Sequence, residues 1–121
     1  MKNILLVDDS ATILLSISGI LSKAGYGVEK AADASEGLKK FNSGSKFDLL
    51  ITDLNMPGMN GIEFIREVRK LPSCRFIPIL FLTTESQQEK RAEAKAAGAS
   101  GWLVKPATAE GLLDTIKMVI R

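Results

Sequence analysis

The chain has 121 residues, 45% hydrophobic and 25% charged, which fits one soluble globular domain spanning 1–121 with no room for an effector domain. A net charge of +2 with no basic run argues against nucleic-acid binding, and no apolar stretch is long enough for a membrane span. Histidine is absent and Cys74 is the sole cysteine, which removes histidine acid–base chemistry, serine–histidine triads, thiolate metal clusters and any intrachain disulfide. A single cysteine and the lack of a signal-peptide pattern lead us to expect a cytoplasmic protein.

In chain order, Asn3–Val7 reads as the first strand. Ile13, Ile17, Ile20, Leu21 and Ala24 then fall on one stripe at helical spacing, and Gly25 can end that helix. Gly27–Ala31 is a second strand. Asp33 with Glu36 has capping-box spacing and opens a second helix. Phe47–Thr52 is a third strand; Asn60 with Glu63 opens a third helix, which Leu71-Pro72 stops. Ile77–Leu82 is a fourth strand, Ser86 with Glu89 opens a fourth helix, and Gly98 ends it. Gly101–Val104 is a fifth strand, and Leu112, Leu113, Ile116, Val119 and Ile120 form the apolar face of a last helix. Five βα units in succession, with near-continuous apolar runs in strands one, three and four, predict an α/β fold: a doubly wound parallel sheet covered on both faces.

In such a sheet the carboxyl ends of all strands open onto one crevice. Asp8, Asp9, Asp53, Asn55, Thr83 and Lys105 stand at or just beyond those ends. Each has an ordinary reading alone: Asp8, Asp9 or Ser10 as a helix cap, Asp53 as a turn residue, Thr83 as a strand-end hydroxyl, Lys105-Pro106 as a turn. Together they form an oxygen-rich anionic cluster with one cation. Three carboxylates so close repel unless a cation joins them, and after Lys105 is counted one divalent ion restores neutrality. Few protein oxygens suit Mg²⁺, and Mn²⁺ would also fit.

The segments Leu5–Ser10, Asp53–Gly61, Leu82–Glu85 and Ala97–Pro106 carry a resemblance. In composition and order they resemble the receiver domains of bacterial two-component response regulators, most closely the stand-alone chemotaxis type, over nearly the whole chain. The resemblance implies a flavodoxin-like sheet of order 2-1-3-4-5 with five helices. It implies Asp53 as phosphoacceptor; Asp9, Asp53 and the Asn55 carbonyl as Mg²⁺ ligands, with Asp8 nearby; and Thr83 and Lys105 on phosphoryl oxygens. Thr83 and the aromatic at 102 would form the switch; the family usually has Tyr or Phe there, and this chain has Trp102. Asn55 and Glu85 would tune loss of the phosphoryl group, here toward a short lifetime, and Pro106 could aim Lys105 inward through a cis peptide. Thr84 is bulkier than the residue often found at its place.

The resemblance further implies a monomeric protein that is no enzyme beyond phosphorylating and dephosphorylating its own Asp53. Its donor would be a histidine kinase or phosphotransfer domain. Its target would be a flagellar motor switch protein or another phosphorelay member, docked near the fourth helix, fifth strand and fifth helix. Leu15 lies opposite the first helix's core stripe, with Leu14 at its flank, and the pair suggests a contact with the donor's helical bundle. A Mg²⁺-dependent phosphohydrolase would need a second acid where Asn55 stands, and a flavodoxin-like carrier would meet repulsion between Asp8-Asp9 and a flavin phosphate.

Overall fold

A computed structural model of the protein describes residues 1–84, 89–105 and 107–120. Five strands alternate with five helices: β1 (Asn3–Val7), α1 (Ala11–Lys23), β2 (Gly27–Ala31), α2 (Ala34–Asn42), β3 (Leu49–Asp53), α3 (Gly61–Lys70), β4 (Ile79–Thr83), α4 (Lys90–Ala97), β5 (Gly101–Val104) and α5 (Ala109–Val119). All pairings are parallel, in the order β2-β1-β3-β4-β5. This is the expected doubly wound sheet.

Strand side chains alternate between two cores. Leu5, Val7, Leu50, Ile79 and Phe81 pack under α2, α3 and α4, around Phe64 and Ile65. Ile4, Leu6, Leu49, Ile51, Leu80 and Leu82 pack under α1 and α5, against Ile17, Leu21, Leu112 and Ile116. Each fully buried Leu, Ile or Phe contributes roughly 1.5–3 kcal/mol. Strands β1, β3 and β4 are buried on both faces, hence their unbroken apolar runs.

The helix boundaries follow their caps. Ser10, not Asp8 or Asp9, caps α1: its Oγ accepts from the Ile13 amide at 3.3 Å. Asp33 accepts from Glu36 N at 2.8 Å. Asn60 and Glu63 form the full reciprocal box at the start of α3. Gly98 ends α4 with φ of 117°, a left-handed conformation that favours glycine. The expected box at Ser86 lies outside the described residues, and α4 is described from Lys90.

Two strands sit two residues later at their start, and one later at their end, than their apolar runs suggest. Pro78 has no N–H to give a ladder, so β4 starts at Ile79, while the Pro78 carbonyl accepts from Leu50 N at 3.1 Å. Asp48 is engaged with the Asn3 backbone, so β3 starts at Leu49. At the other end the ladders run on through Asp53, paired with Leu82, and Thr83, paired with Val104. Among the described residues no helix is long and apolar enough to cross a membrane.

Candidate phosphoacceptor site

The parallel register brings the expected residues to one edge. β1 and β3 are hydrogen-bonded neighbours, so the residues that follow Val7 and Thr52 emerge side by side. Asp8 is wholly buried and Asp53 nearly so, whereas Asp9 is exposed. Ligand oxygens of Asp8, Asp9 and Asp53 all lie within 4.8 Å of one another. Lys105 arrives from β5, its amide donating to the Thr83 carbonyl at 2.7 Å. Its Nζ stands 3.2 Å from Asp8 Oδ2 and 3.2 Å from Asp53 Oδ1. Lys105 also lines a cavity together with Ile13, Ile17 and Leu82.

One ammonium thus serves two buried carboxylates. Asp8 Oδ1 is occupied by the Ser10 amide at 2.9 Å. Among the described residues Asp8 Oδ2 accepts no hydrogen bond, although Lys105 Nζ lies 3.2 Å away. Burial, and then the charge of Asp8, push the Asp53 carboxyl above its ordinary 3.8, while Lys105 and the Asn55 backbone oppose that rise. A buried carboxylate oxygen without a hydrogen bond among the described residues, in a cluster with two charges in excess, fits a small divalent cation with oxygen ligands.

Thr83 is fully buried, one residue beyond the partner of Asp53, and its hydroxyl donates to the Thr84 carbonyl at 3.0 Å. Asn55 is exposed in the loop after β3. Trp102 lies on β5 opposite Phe81, with ring centroids 6.2 Å apart. Glu85 and Pro106 lie outside the described residues.

Two residues at or near the site are not evident from sequence reasoning. Gly61 reads as a helix start, yet a methyl group there would overlap the Asp53 carbonyl oxygen and the Leu54 Cα. Its amide also donates to Leu54 O at 2.9 Å, so α3 begins pressed against the backbone of Asp53 and Leu54. The second is Arg91, whose guanidinium stacks on Trp102. An Asn60-to-Glu63 box hints that a helix starts at 61 but says nothing of what it touches.

Residues 4–117 match the response regulator receiver domain family. The chain is 38% identical to the chemotaxis protein CheY of Pseudomonas aeruginosa over 96% of this chain and 94% of that protein. It is 35% identical to the protein PilH of the same organism, covering 99% of this chain and 98% of that one. Among solved structures, chemotaxis response regulator CheY4 of Vibrio cholerae superposes with a TM-score of 0.94 at 49% identity, over 99% of each chain. The chain is therefore a member of the response regulator receiver domain family.

Proposed function

We propose that the protein is a stand-alone response regulator that accepts a phosphoryl group on Asp53 from a histidine kinase or phosphotransfer domain and passes the signal by binding a target, in chemotaxis. The observation that carries this reading is the shared lysine: Lys105 Nζ lies 3.2 Å from the buried Asp53 carboxylate in a site with excess negative charge. Receiver domains of this kind work with histidine kinases and downstream targets, and the chemotaxis assignment draws on the relatives' names alone.

An ionised Asp53 oxygen attacks phosphorus while the bond from phosphorus to the donor's imidazole nitrogen breaks, and the imidazole leaves with the electron pair. Phosphoryl transfer of this kind is chiefly positioning and charge stabilisation. Asp53 is positioned by the β3 ladder and by Gly61 against its carbonyl. Lys105 can follow the negative charge from the Asp53 carboxylate to a phosphoryl oxygen, and the Thr83 hydroxyl can turn to another. Asp8, Asp9, Asp53 and the Asn55 carbonyl would hold Mg²⁺, or Mn²⁺, which when bound offsets repulsion between the carboxylate and the incoming phosphoryl oxygens. Thr83 and Trp102 form the switch in this reading; Asn55 with Glu85 set the lifetime of the acyl phosphate.

Intact mass after incubation with phosphoramidate and Mg²⁺ tests the reading. One phosphoryl gain in wild type, lost with EDTA and in Asp53→Asn, is expected; a gain that survives in Asp53→Asn would assign the acceptor elsewhere. Donor docking is the finer expectation. Leu15 is 70% exposed and borders a hollow with Leu14, Ala11 and Ala32, flanked by Lys30 and Glu36, which suits an amphipathic donor helix. Leu15→Glu should slow phosphorylation by the kinase and leave phosphoramidate labelling unchanged; equal slowing of both would remove the docking role.

A further inference from the structure

Trp102 has two ring neighbours, Phe81 and Arg91. Its ring lies 6.2 Å from that of Phe81 between centroids, at a tilt of 37°. Arg91, the second residue of α4, lies over the indole with the guanidinium carbon 4.3 Å from the ring centroid. The indole stays 42% exposed, so burial alone does not lock it. Arg91 Nε is buried and, among the described residues, has no hydrogen-bond partner. The electron-rich face of the indole is the group beside it that can compensate a buried cationic N–H, and tryptophan is the best of the aromatic residues for this.

We propose that Arg91 is a positioning residue for the switch: its stack on Trp102 latches the indole against the first turn of α4 in the unphosphorylated protein and sets how readily the ring leaves. The proposal rests on the reading of Trp102 as the switch aromatic. Moving the indole away costs the stack and strands the Arg91 Nε–H. Lysine keeps the charge at this position but lacks the planar face, so it is the conservative variant that separates stacking from electrostatics.

Trp102 is the sole tryptophan, so one fluorine label on that indole reports one position. The experiment is ¹⁹F NMR of the full chain labelled with 5-fluorotryptophan, for wild type, Arg91→Leu and Arg91→Lys. Each is recorded unmodified and with phosphoramidate and Mg²⁺, and circular dichroism is measured in parallel. From the usual range of cation–aromatic strengths, Arg91→Leu should raise the minor ring environment of the unmodified protein about twofold to thirtyfold, with Arg91→Lys between it and wild type. Spectra for both variants that coincide with unmodified wild type would overturn the latch. If Arg91→Leu does not fold, Arg91→Lys decides alone. The comparison of unmodified proteins stands apart from the phosphoryl mass gain. A latch without mass gain would sink the receiver chemistry and keep the latch; mass gain with unmoved spectra would do the reverse.

Discussion

The two ends of the sheet handle charge in opposite ways. At the amino end, polar groups are matched. Asn3 N donates to Asp48 Oδ2 at 2.8 Å and Asp48 N returns a bond to Asn3 O at 2.7 Å. Ser100 N donates to Ile79 O at 2.7 Å, and Ser100 Oγ accepts from Ile79 N at 3.0 Å. Arg69 spends its guanidinium on the carbonyls of Gly98, at 2.7 Å, and Cys74, at 2.8 Å, tying α3 to the loops beneath α4 and β4. At the carboxyl end, three carboxylates cluster, two of them share one lysine, and among the described residues a buried oxygen goes without a hydrogen bond. Matched polar groups stabilise a fold; unmatched buried charge has a standing cost that a ligand can relieve. The difference marks the functional end without reference to any relative.

The contrast can be tested from both sides. A large effect is expected at the matched end. Arg69→Met leaves two carbonyls without their charged donor and should lower stability by about 2 to 3 kcal/mol, read from urea midpoints, with the phosphoryl gain on Asp53 intact. If that variant lost phosphorylation while still folded, the two ends would not be independent. The unmatched end should respond to a cation instead. Mg²⁺ at a hundredfold excess over its Kd should stabilise wild type by about 2.7 kcal/mol, and Asp53→Asn by much less.

The same pair of proteins in EDTA reports the cost of the cluster through pH. The Asp53 carboxyl titrates above 3.8 in the folded protein, so the folded state holds that proton more tightly than the unfolded chain does. Its favourable contribution is present below 3.8 and is lost as pH rises through the raised folded value. The stability advantage of Asp53→Asn over wild type should therefore grow with pH across that window and then level off. An advantage that shrinks with pH would mean that Lys105 outweighs burial and Asp8.

The architecture and most of the site were legible because both depend on local order. Alternating apolar runs and caps place the five strands, and strand-end residues such as Asp53 and Lys105 then have one crevice to enter. The starts of β3 and β4 were not legible from hydropathy: Phe47 and Ile77 are apolar, but Asp48 and Pro78 after them belong to loop hydrogen bonding. Gly61 looked like a helix start because sequence does not reveal that the backbone of Asp53 fills the space a Cβ would need. Arg91 stands in a stretch of Ala, Lys and Glu that reads as a solvated helix face, and its partner Trp102 lies on β5.

Asp53 is the last ladder residue of β3, paired with Leu82 of β4, at the end of a central strand buried along its whole length. Its backbone thus belongs to the part of the protein with the least freedom to open, the part where amide hydrogen exchange approaches the limit of global unfolding. A covalent charge added there has no compliant main chain to push against. On the proposed reading, the response to a phosphoryl group on Asp53 would be expressed by side chains and by the loops beyond the strand ends, and the signal would begin as a change of charge on a stiff support rather than as a bending of the sheet.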